Sequence, residues 1–93
     1  MTVHANPTEE QVAQSRTLFF EGIEHFENGR LEPARSCFEK CQALTPGRPS
    51  VLGNLGVTLF HLRQWEAAIP VLGALLMILA GGDPGTMITA DML

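Results

Sequence analysis

The chain has 93 residues, 45% of them apolar and 17% charged, which is room and material for one small folded domain and excludes a two-domain enzyme with a separate cofactor domain. Six basic against ten acidic side chains leave a net charge of −4 and no basic block, so the composition argues against duplex nucleic acid or an anionic membrane surface as a partner. The charge is uneven: residues 1–48 carry five basic and seven acidic side chains, residues 49–93 one basic and three acidic, and none falls between Ala67 and Gly82.

The opening Met1–Asn6 has neither a basic start nor an apolar core, so no secretory signal is predicted and a cytoplasmic setting is expected. Asn6 reads as an N-cap, with Pro7 the first helical residue and Glu9 and Glu10 placing acids at the positive end of the helix dipole. A helix over about Pro7 to Glu27 follows, striped by Leu18, Gly22 and Phe26 at helical spacing. Gly29, in Glu27-Asn28-Gly29-Arg30, suits the left-handed turn that ends a helix. A second stripe, Leu31, Ala34, Phe38, Cys41 and Leu44, predicts another helix with Pro33 in its first turn, and Thr45-Pro46-Gly47-Arg48-Pro49 stops it.

The plan then recurs, with a helix over Pro49–Leu62, a turn near Arg63-Gln64, and a helix from about Trp65 to Leu79. Ile69–Ala80 is apolar at ten of twelve positions, too short for a bilayer that needs roughly 20 residues. Pro70 and Gly73 interrupt it, so it reads as a buried helix that begins late or bends at Pro70. Cys37 and Cys41, four apart, stack on one helix face as packed thiols rather than as a disulfide. His4, His25 and His61 have no ligand spacing towards them, so neither metal nor cofactor is expected.

A shift of 34 residues superposes Leu18 on Leu52, Gly22 on Gly56, Phe26 on Phe60, Leu31 on Trp65, Ala34 on Ala68, Phe38 on Leu72 and Leu44 on Ile78. The chain therefore divides into a leading helical extension at 7–14, a unit at 15–48, a second at 49–82 and a tail at 83–93. Gly22, Phe26, Ala34 and Pro46, with Leu55-Gly56, Phe60, Trp65 and Ala67-Ala68 in the second unit, resemble the tetratricopeptide repeat family over 68 of 93 residues. The resemblance implies an all-α fold of antiparallel helix hairpins stacked as a short right-handed α-solenoid. Gly22 and Gly56 are expected to admit the second helix of their own units, Ala34 and Ala68 to be the facing small residues, and the aromatics to fill the wedge between hairpins. Two departures stand out: Arg63 where the family commonly has glycine in the turn, and Ala80-Gly81-Gly82 where it commonly ends in proline.

The family's activity is protein binding, and the resemblance implies a concave surface for an extended peptide or a partner helix. The corresponding residues here are Arg16, Phe19, Phe20 and Ile23 in the first unit, and Ser50, Asn54, Val57 and His61 in the second. One family mode clamps a carboxyl terminus with Lys and Asn on the first helix, Asn on the next, and Lys and Arg on a third; Phe19 and Ile23 take the first two places, only Asn54 matches and no third repeat is read, so that ligand is not expected. No phosphate loop, metal-binding His pair or nucleophile motif is visible, and the chain is expected not to be an enzyme.

Two repeats are fewer than the three or so that solenoids normally need. The outward residues of the last helix, Ile69, Gly73, Leu76, Met77 and Ala80, are accordingly expected to self-associate into a homo-oligomer. The alternatives are the amino-terminal piece of a longer repeat protein, as scaffold or joined to an enzyme, or a small secretion or assembly chaperone.

Overall fold

A computed structural model describes residues 6–81. Among these residues there are four α-helices and no strand: α1 (Glu9–Glu27), α2 (Leu31–Leu44), α3 (Pro49–His61) and α4 (Trp65–Leu79). The tail at 83–93 lies outside the described residues.

α1 begins at Glu9, not at Pro7, and its N-cap is Thr8 rather than Asn6. The Thr8 hydroxyl accepts from the Gln11 N–H at 3.0 Å, and the Gln11 side chain accepts from the Thr8 N–H at 2.9 Å. This reciprocal pair satisfies two otherwise unpartnered donors at once, which decides where the helix starts.

The first and third helices end alike. After α1, Gly29 lies at φ 77° while the Gly29 and Arg30 N–H groups donate to Phe26 and His25 carbonyls. After α3, Arg63 lies at φ 61° while the Arg63 and Gln64 N–H groups donate to Phe60 and Leu59 carbonyls. Both are Schellman closures, and the residues in the left-handed conformation stand 34 apart. Gly47 and Gly81, at φ 82° and 87°, form a second such pair after α2 and α4.

Consecutive helices pair antiparallel. Ser15, near the start of α1, meets Thr45 just past α2, while Gly22 meets Phe38 midway. In the second pair Gly53 faces Leu75 and Gly56 faces Leu72. A Cβ at Gly22 would stand 2.6 Å from the Phe38 ring, and one at Gly56 within 2.9 Å of Leu72 Cγ, so the absence of a side chain is what permits the approach. The residues opposite the glycines are thus Phe38 and Leu72. The expected partners Ala34 and Ala68 lie one turn earlier, in the buried cluster with Phe38, Leu55 and Leu59.

That cluster joins the two pairs, because α2 packs on α3 as well as on α1. Phe19, Ile23, Phe26, Val71 and Leu72 pack around it. Three buried side chains satisfy one another at the open end of the first pair: Ser15 Oγ–H donates to Thr45 Oγ1 at 2.7 Å, Thr45 Oγ1 donates to the Cys41 carbonyl at 3.1 Å, and Cys41 Sγ donates to the Ser15 carbonyl at 3.2 Å. Arg35 reaches from α2 to the entry of α4, donating to Gln64 Oε1 at 3.1 Å while Glu32 pairs with it at 2.9 Å. α4 runs from Trp65 to Leu79 with Pro70 inside it, so it does not start late. Pro70 is exposed, so the missing N–H falls on the solvent side, where water can meet the carbonyl it leaves unpaired.

Candidate partner-binding cleft

α1 and the start of α3 flank a cleft of about 210 Å³ lined by Ser15, Arg16, Phe19, Phe20, Arg48, Ser50 and Val51. Four residues predicted for a binding surface, Arg16, Phe19, Phe20 and Ser50, are therefore brought together from two helices. Phe20 projects, 62% exposed. Phe19 is half-buried, its ring centroid 5.8 Å from that of Phe20 in an edge-on arrangement and 5.9 Å from that of Phe38 in the core. Phe19 thus joins the cleft wall to the core, and Phe20 offers the free aromatic face.

The other four predicted residues lie outside the lining. Ile23 is half-buried against the core. Asn54 turns its side-chain amide back on its own helix, donating to the Ser50 carbonyl at 2.8 Å. Val57 is exposed, and the exposed His61 packs edge-on against Phe26 at 5.6 Å and Phe60 at 6.1 Å between ring centroids.

Arg48 completes the cleft and is missed by reasoning from helix faces, because it sits in the connection ahead of α3 as that helix's N-cap residue. Its only signal in the sequence is its place between Gly47 and Pro49, at the reversal that brings the second unit back beside the first. Near it, burial pushes the Cys41 thiol above its ordinary range, outweighing the Arg48 charge, which acts the other way. Cys37 is raised too, by burial first and the Glu21 charge second. Neither thiol is poised as a nucleophile, which requires a lowered pKa.

A second region stands open at the far end. Phe60, Trp65, Ile69, Leu76 and Leu79 are all exposed, and the Phe60 and Trp65 rings meet edge-on at 4.9 Å. Of the residues expected to self-associate, Ile69, Leu76 and Ala80 are exposed, while Gly73 and Met77 are half-buried. Trp65 and Leu79 extend the exposed stripe on the same helix, and Phe60 adjoins it.

Among the described residues no group of three or more His, Cys, Asp or Glu side chains is placed to hold a metal ion. No helix is long and apolar enough to cross a membrane. The described residues thus define an all-α protein of four helices with one mixed aromatic and basic cleft and one apolar end. No protein-family model matches the chain, and neither a curated protein nor a solved structure matches it.

Proposed function

We propose that this chain is a non-catalytic interaction module of the tetratricopeptide-repeat kind, set in the cytoplasm. Its two hairpins stack as a short right-handed solenoid whose α1 and α3 hold a peptide or partner helix. The observation that carries the reading is the cleft itself: Arg16, Phe19 and Phe20 meet Ser50 across two helices, with Phe20 left largely exposed. An exposed aromatic over a hollow of mixed polarity is how protein-binding surfaces are commonly built. The recurrence of helix ends and left-handed residues at a 34-residue interval supports the repeat assignment.

The test is affinity capture with the wild type beside a Phe20→Glu, Val57→Glu double variant. Both side chains are exposed, so the fold should survive, as circular dichroism would verify. Capture of a protein or peptide by the wild type and its loss in the variant are expected; equal capture removes the groove reading.

A second reading, self-association through α4, is favoured by a specific observation: Trp65, Ile69, Leu76 and Leu79 are exposed along a helix with no charge after Glu66. A further repeat of a longer protein, or a client helix of a chaperone, would cover the same stripe. Light scattering across a wide concentration range separates these. A dimer that an Ile69→Glu, Leu76→Glu variant converts to monomer supports self-association, and a stable monomer throughout removes it.

A further inference from the structure

The chemistry of the cleft's occupant can be read from its lining; this inference rests on the groove reading above and names the partner that groove takes. Two of the chain's six basic residues, Arg16 and Arg48, line the cleft, and no carboxylate does, although the chain as a whole carries a charge of −4. The two guanidiniums come from different elements, one from α1 and one from the connection before α3. Two of the three other arginines are engaged within the molecule: Arg30 donates to His25 Nδ1 at 2.9 Å, and Arg35 pairs with Glu32 and donates to Gln64. Among the described residues neither Arg16 nor Arg48 has a carboxylate within ion-pair distance or a side-chain hydrogen bond.

Guanidinium groups match carboxylates in plane and hydrogen-bond count, and two of them beside one hollow leave positive charge that an acidic group would neutralise. The remaining wall is aromatic, with Phe19 and Phe20 edge-on to each other and Phe20 open to solvent. At about 210 Å³ the space falls below the roughly 300–1,000 Å³ of cofactor and small-molecule pockets. It suits one or two side chains of a passing peptide.

We propose that this cleft binds a peptide segment in which a carboxylate neighbours an aromatic residue, the carboxylate held by Arg16 and Arg48 and the ring by Phe19 and Phe20. The carboxylate is an Asp or Glu side chain beside that ring, in keeping with a lining that carries two arginines and no carboxylate. Because both arginines are exposed, their share of the affinity is screened by salt, whereas the aromatic share is not.

The test uses the full 93-residue chain and fluorescently labelled synthetic peptides with Glu-Phe-Glu, Gln-Phe-Gln or Lys-Phe-Lys between Gly-Ser flanks, each with a free or amidated carboxyl terminus. Glu-Phe-Glu should bind on the order of tenfold more tightly than Gln-Phe-Gln, the factor that one charge-assisted hydrogen bond supplies, and Lys-Phe-Lys more weakly than either. An Arg16→Glu, Arg48→Glu variant should reverse the order in favour of Lys-Phe-Lys, a gain that misfolding cannot produce. Phe20→Ala should weaken the acidic and neutral peptides alike. Amidated Glu-Phe-Glu should keep its affinity; tight binding by the free-ended peptides alone overturns the proposal. Equal binding of all three sequences, unchanged by charge reversal but lost with Phe20→Ala, overturns this proposal and leaves the groove reading standing. Binding of none of them at millimolar concentration overturns this proposal, while the groove reading stands or falls by the capture experiment.

Discussion

The two hairpins share their turns and differ in what lies beyond them. Phe26 and Leu31 close the first hairpin and are half-buried, with Phe26 against His61 of α3. Their counterparts 34 residues on, Phe60 and Trp65, stand 54% and 48% exposed, resting on each other. The interface between hairpins draws the same contrast. Arg35 and Gln42 of α2, half-buried, correspond to Ile69 and Leu76 of α4, each 69% exposed. A residue's burial in these hairpins is thus decided less by its own hairpin than by the presence of a neighbour on the next side. The covered position tolerates an arginine because Gln64 and Glu32 meet its polar head, while the open one carries aliphatic groups that have nothing to pack on among the described residues.

The contrast is open to direct attack. Phe38 is fully buried and Leu72, its counterpart, only half-buried. Phe38→Ala should therefore cost about 3–5 kcal/mol and Leu72→Ala about 2 kcal/mol or less. Urea unfolding of both variants measures the gap; equal losses would show the two hairpins to be equally covered, breaking the comparison. A smaller effect comes from the turns. Arg63 holds the left-handed conformation that Gly29 occupies in the first unit, so Arg63→Gly should stabilise by about 1 kcal/mol and Gly29→Arg destabilise by a similar amount. Thermal melts in which the two changes moved in the same direction would break the equivalence of the turns.

The smallest expected effect is alkaline and belongs to the first hairpin alone, since both thiols lie on α2. Burial raises Cys37 and Cys41 above their ordinary value of 9.0 in the folded chain. As pH rises past that value the unfolded chain loses its thiol protons first, so stability is fully present below it and declines through the folded titration. The denaturation midpoint should fall between pH 8 and pH 10, and a Cys37→Ala, Cys41→Ala variant should fall less. An equal fall in both would assign the loss to other groups.

The helices and turns were legible in advance because they depend on near neighbours. Gly29, Pro33 and the Pro46-Gly47 break announce themselves by backbone chemistry, and the helix ends fell within two residues of expectation. The cleft was half legible. The family resemblance implied a common surface for Arg16, Phe19, Phe20 and Ser50, yet it could not separate Phe20, which projects, from Ile23, which packs inward, since both are large apolar residues on one helix. Arg48 escaped because a connection has no periodicity from which a face can be read.

By itself, then, the sequence determined the four helices, the 34-residue recurrence and the uncharged final helix, all consequences of local conformational preference and of the spacing of apolar residues. Only the tertiary structure decided that Gly22 faces Phe38 rather than Ala34, that Asn54 spends its amide on Ser50, and that Arg48 stands with Arg16 beside Phe20. Those outcomes depend on how far α1, α2 and α3 approach and rotate against one another. Close packing of particular side chains sets those quantities, and no interval along the chain encodes them.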